Sequence, residues 1–156
     1  MKLFSTGLLI TVLSFAQATA EEVPFATPPN TRNPSESAVG TLANIMVVVQ
    51  MRHNKLWFAG KARNWELISY EAQKLEDDFV AAAGFYRNLP IENVVQADKP
   101  LKLLMEAAKT KDYARFGKAF DELTVGCNSC HAAGQIGYIR IQQPKSSSFT
   151  NQRFDH

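Results

Sequence analysis

The chain has 156 residues, 46% of them hydrophobic and 21% charged, which suits one packed domain. Seventeen basic residues against 15 acidic ones leave a formal net charge of +2. That balance excludes the broad basic field needed for nucleic-acid binding or electrostatic docking to a membrane.

The chain opens with Lys2, an apolar run from Leu3 to Phe15, and the small-residue sequence Ala18-Thr19-Ala20 before Glu21-Glu22. This order is that of a secretory signal peptide over residues 1–20. The run is too short for a membrane span, and no second apolar stretch of spanning length follows. A cut after Ala20 removes Lys2 and no acid, so the net charge falls by one. The expected location is the periplasm.

Residues 21–33 contain Pro24, Pro28 and Pro29 among small polar residues and read as an extended leader. Asn33-Pro34-Ser35-Glu36 then has the features of a helix start, and the first helix is expected to run to Ala59 with Gly60 as its terminator. The β-branched cluster Val47-Val48-Val49 lies inside this helical stripe, where burial overrides its propensity. Asn64 can cap a second helix, whose apolar face is Trp65, Ile68, Ala72, Leu75, Phe79 and Ala82. Gly84, or the segment before Pro90, ends it. Residues 87–99 read as a connection that folds back through Ile91, Val94 and Val95. Asp98, with Pro100 in the first turn, starts a shorter third helix striped by Leu101, Leu104, Met105 and Ala108. Asp112 caps a fourth, on which Phe116, Phe120, Leu123, Cys127 and His131 share one face, and Gly134 and Gly137 close it. The tail, 139–156, is polar and reads as extended or frayed, although Tyr138 and Ile141 could cover the edge of a bound group. Short connections and no strong period-two run predict an all-α, antiparallel four-helix bundle over residues 34–138.

Both cysteines of the chain fall in Cys127-Asn128-Ser129-Cys130-His131. A bare Cys-x-x-Cys could be a redox dithiol, half of a zinc site or a structural disulfide. No βαβ pattern surrounds it, and His53 and the terminal His156 are poorly spaced to complete a zinc set with His131. With histidine directly after, the pattern is the attachment signature of a c-type haem. Two thiols a helical turn apart can each add to one vinyl group of the porphyrin. His131 can then offer a ring nitrogen to the iron as proximal ligand. The expected cofactor is one covalent haem c, attached near the C-terminal end of the last helix.

The bundle register also predicts a partner across the iron. Going back from Gly60 as far as His131 lies beyond Asp112 reaches positions 41–46, where Met46 shares a face with Leu42, Val49, His53 and Trp57. Met46 is the first candidate for a distal ligand, and its thioether would raise the potential relative to a second histidine. His53 is the alternative, although seven residues along a helix is about 10 Å; otherwise it is a satisfied core histidine. Met51 points away and Met105 reads as core. Arg52, Lys55, Lys61 and Arg63 read as a solvated face. Asp77-Asp78 has no companion base or nucleophile, so no hydrolase is indicated and the protein is not expected to be an enzyme.

The haem motif on the last helix of four resembles the class II c-type cytochromes, the cytochrome c′ group and its low-spin relatives with histidine and methionine ligands. The resemblance implies that Cys127 and Cys130 form the thioethers, that His131 is the proximal ligand, and that Met46 occupies the distal position. The segment Arg52-His53-Asn54-Lys55-Leu56-Trp57-Phe58-Ala59-Gly60 with Asn64-Trp65 is similar to other exported c-type cytochromes. The chain departs from cytochrome c′ in having Ala132-Ala133-Gly134-Gln135 after the histidine, where a basic residue is common, and Leu42 in place of an arginine on the first helix. Two functions follow. With both axial positions filled, the protein carries single electrons to and from a redox partner protein. With Met46 unbound, five-coordinate iron could bind or sense a small gas such as nitric oxide. A haem-free, disulfide-stabilised adhesion or scaffolding module is the outsider. Bundles of this type often pair through their first two helices, so a homodimer is an open possibility.

Overall fold

The computed structural model describes residues 42–85 and 91–155. The signal peptide, the leader and the helix start at Asn33-Pro34 lie outside these residues. The described part is all-α, with four helices and no strand: α1 Leu42–Lys61, α2 Trp65–Phe85, α3 Ile91–Thr110 and α4 Tyr113–Ala133. Consecutive helices pack on each other, and α1 touches α4 sparingly, an arrangement compatible with a four-helix bundle. No helix is long and apolar enough to cross a membrane among the described residues.

The core is built from one face of each helix: Leu56 and Ala59 of α1, Ile68, Ala72 and Leu75 of α2, Leu101, Leu104 and Ala108 of α3, and Phe116, Phe120 and Leu123 of α4. Two of the expected helix starts are capped as read. Asn64 Oδ1 accepts the Leu67 N–H at 3.1 Å, and Asp112 Oδ1 accepts that of Arg115 at 3.0 Å.

Three details differ from the sequence reading. First, α1 does not stop at Gly60. It continues to Lys61, and Arg63 takes the left-handed conformation (φ 54°) that closes it. The Arg63 N–H reaches the Gly60 carbonyl and the Asn64 N–H reaches Ala59, a Schellman closure. Gly60 serves a different purpose: the ring of Phe116 lies so close that a Cβ there would sit 2.0 Å from it. Second, α3 begins at Ile91, so Val94 and Asp98 are helical and Pro100 lies inside the helix. An internal proline costs about 3 kcal/mol through a lost hydrogen bond and a clash. Burial of Ala97, Leu101 and Leu104 along one continuous face offsets it. Third, the tail is not frayed. It runs back along the body as a strap without helix or strand. Asn54 Nδ2 donates to the Ser146 carbonyl (3.2 Å), Asn54 Oδ1 accepts from Ser148 N–H (3.3 Å), and Asn64 Nδ2 donates to the Phe154 carbonyl (3.0 Å). Phe154 packs against Phe58 with ring centres 5.8 Å apart.

Of the basic cluster, Lys61 and Arg63 are exposed as expected of a solvated face, while Arg52 and Lys55 are half-buried. Arg52 bonds Glu71 of α2 at 3.0 Å and Asp78 at 2.7 Å, and Glu71 is only 2% exposed. Lys55 lies over the ring of Phe149, Lys61 over Trp57 and Arg63 over Tyr113.

Candidate functional site

An apolar cavity of about 470 Å³ opens between the helices, within the range of small-molecule and cofactor sites. Met46 and His53 of α1, together with Cys127, Cys130 and His131 of α4, all line it. Every residue that the sequence singled out for ligation or attachment therefore borders one space. Phe79 and Ala82 of α2, Val94 and Ala97 of α3, and Ile136, Tyr138, Ile139 and Ile141 after α4 add apolar wall, and Gln50 and Asn93 add amides. No Asp, Glu, Lys or Arg lines it among the described residues.

The register that brings these residues together follows from aromatic packing at the other end of the α1–α4 seam. Trp57 stacks on Phe116 and tilts against Phe120, while Phe116 fills the space over Gly60. His53 continues this row, its ring centre 4.5 Å from that of Phe120. His53 also lines the cavity, which extends from there along α1 to Met46.

Cys127 and Cys130 are separate thiols one helical turn apart in the last two turns of α4. Burial, with a smaller contribution from Cys130, pushes the Cys127 thiol up to about 12, and burial also raises Cys130. Redox-active Cys-x-x-Cys pairs have the opposite character, a lowered thiol near a helix N-terminus. Among the described residues no three His, Cys, Asp or Glu side chains gather as a metal-binding group.

The two histidines differ in what their nitrogens are doing. His131 is half-buried, and its Nδ1 lies 2.8 Å from the Ile139 carbonyl. A carbonyl only accepts, so Nδ1 carries the proton and the neutral ring has its lone pair on Nε2. Metal-binding histidines are commonly oriented by such a bond on the second nitrogen. His53 is 3% exposed, and its Nε2 lies 2.9 Å from Thr124 Oγ1. The Thr124 hydroxyl donates to the Phe120 carbonyl at 2.9 Å, so it accepts from His53 and Nε2 bears the proton. Burial lowers His53 to about 4, leaving it neutral at pH 7. Met46 is half-buried and packs against the core from the α1 wall, whereas Met51 is exposed.

These residues fit a covalently attached haem. The walls are uncharged and largely apolar, two protonated thiols stand a turn apart, an imidazole beside them keeps Nε2 available, and a thioether borders the same space. Two participants were not singled out from the sequence. Thr124 occupies His53, and the Ile139 carbonyl orients His131. A threonine one turn before the motif gives no local signal, and a backbone carbonyl gives none at all. Comparison with protein families, curated proteins and solved structures finds no match for this chain.

Proposed function

We propose that this chain is an exported c-type cytochrome that carries one haem and transfers single electrons in the periplasm. The observation that carries the reading is that Cys127, Cys130 and His131 border the same uncharged cavity as Met46, with His131 Nδ1 engaged and Nε2 left for a metal. In this reading Cys127 and Cys130 form the thioethers, His131 Nε2 is the proximal ligand and Met46 sulfur the distal one. Bound there, the haem supplies one-electron exchange at its iron. The protein would supply largely apolar walls that exclude water, and His131 Nε2 and the Met46 sulfur would be the donors that set the potential. We read the helices as antiparallel. The close of α1 at Gly60 meets Phe116 in the first turn of α4, and Met46 near the start of α1 shares the cavity with His131 near the end of α4, which supports this path.

Mass spectrometry of the exported chain tests the reading: the mass is expected to include one porphyrin, and a mass without it overturns the proposal. Visible spectra then test the ligands. A far-red sulfur-to-iron band and indifference to carbon monoxide are expected. The band should vanish in Met46→Ala and persist in His53→Ala. A high-spin spectrum that changes with carbon monoxide would instead favour the gas-binding alternative.

A further inference from the structure

Asn128 occupies the first variable position of the haem motif and is neither thiol nor ligand, yet its amide makes three of the four hydrogen bonds open to it. Nδ2 donates to the Ile141 carbonyl at 2.8 Å and to the Thr124 carbonyl at 3.0 Å, while Oδ1 accepts the Ile141 N–H at 2.8 Å. The two bonds to Ile141 reproduce the reciprocal pairing of backbone peptides in a strand ladder, with a side chain in place of one strand. Two residues before Ile141 stands the carbonyl that receives His131 Nδ1–H. The intervening turn is fixed from its other end: the Ile136 N–H donates to the His131 carbonyl at 2.9 Å and the Ile139 N–H to the Ile136 carbonyl at 2.8 Å. The segment from 136 to 141 is thus clamped at both ends beside the imidazole.

We propose that Asn128 is a positioning residue: by clamping the strap at Ile141 it keeps the Ile139 carbonyl on His131 Nδ1, and so fixes the imidazole with Nε2 as the metal-binding nitrogen. The inference rests on the haem reading and deepens it. A half-buried histidine in the last turn of a helix can rotate about its terminal torsion unless something holds the ring. A carbonyl that accepts from Nδ1–H also makes the ligand more basic. A more basic ligand stabilises the oxidised iron, so the strap lowers the reduction potential. Asparagine suits the position because aspartate lacks the two donors and serine has only one.

The test uses the exported full-length protein in wild-type form and as Asn128→Ala, Ile141→Pro and Asn54→Ala. Ile141→Pro deletes the N–H that Asn128 accepts and leaves the haem motif intact, so it decides the question if Asn128→Ala is poorly loaded. Asn54→Ala releases the strap at Ser146 and Ser148, away from His131. Redox titration is expected to give a raised midpoint potential in the first two variants and an unchanged one in Asn54→Ala. Nitrogen-15 NMR should show His131 Nδ1–H exchanging with solvent about tenfold faster in the first two, the loss expected for one hydrogen bond. Unchanged potential and exchange in Asn128→Ala and Ile141→Pro, or equal shifts in Asn54→Ala, overturn the proposal. A wild-type mass lacking porphyrin would overturn the haem reading alone. The strap is then judged on the porphyrin-free chain: an Nδ1–H tautomer lost in Asn128→Ala supports it, and an Nε2–H tautomer in the wild type overturns it.

Discussion

His53 and His131 are the same side chain placed in two settings. His131 lies at the end of α4 with one nitrogen engaged by a strap carbonyl. His53 is enclosed between Thr124 and Phe120, and its protonation is opposed by burial. The sign of the resulting pH dependence follows from linkage. Between about 4 and the ordinary value of 6.5, the unfolded chain binds a proton at His53 and the folded chain does not. Stability from this group is therefore full above pH 6.5 and is lost as the pH falls toward 4, by up to about 3 kcal/mol. Urea unfolding of wild type and His53→Phe between pH 7 and 4 should show a steeper decline in the wild type, since phenylalanine keeps a ring against Phe120 and has no proton to bind. Parallel curves would refute this. Buried Glu71 is paired with Arg52. Arg52→Met should cost about 3 kcal/mol because a buried carboxylate loses its cation, and adding Glu71→Leu should restore much of it, read as urea midpoints.

At the level of helices, what was legible in the sequence is what is encoded locally. Asn64 and Asp112 announce their helices because a cap needs only its own side chain and an amide three residues on. Helix ends are legible in part: Gly134 caps α4 as its position suggests, whereas the left-handed positions after α1, α3 and α4 are held by Arg63, Lys111 and Gln135 rather than by glycine. The cost of a side chain there is outweighed by tertiary packing, which leaves no mark in a linear pattern. Lys111 is exposed and its N–H bonds the Ala108 carbonyl in the turn between α3 and α4. Lys111→Gly is expected to raise stability by about 0.5–1 kcal/mol in thermal unfolding, since glycine takes this conformation without strain. Pro100 was misread for a similar reason: its local preference for a first turn was overridden by the face that α3 buries. The strap left no periodicity to detect, because it is held by the amides of Asn54, Asn64 and Asn128, whose bonds to distant backbone leave no local signal even where, as at Asn64, the residue is also a helix cap.

Across the whole molecule, the α1–α4 seam divides into an aromatic half and a hollow half. The candidate ligands were legible as a group because helical periodicity and bundle register suffice to align Met46 with the Cys-x-x-Cys-His segment. The aromatic half keeps the seam in place, and at Gly60 the ring of Phe116 leaves no room for a Cβ. Gly60→Ala should lower stability by about 1–3 kcal/mol through overpacking against Phe116. Combining it with Phe116→Leu should recover part of the loss, measured as melting temperature. Failure of Gly60→Ala to lower the melting temperature would contradict the close approach.

The strap also bears on the order in which the chain becomes a finished object. Its bonds to Asn54 and Asn64 join positions 90 to 94 residues apart, among the largest separations between bonded groups of the described residues. The four helices can associate through nearer neighbours, whereas loops this long close late and slowly. A polypeptide synthesised from its N-terminus has all four helices available before residues 146–154 emerge. Residues 146–154 line no part of the hollow half, which is walled by residues between 136 and 141, so the later-made stretch belts the α1 side beside Asn54 and Asn64 after the cavity's own wall has been synthesised.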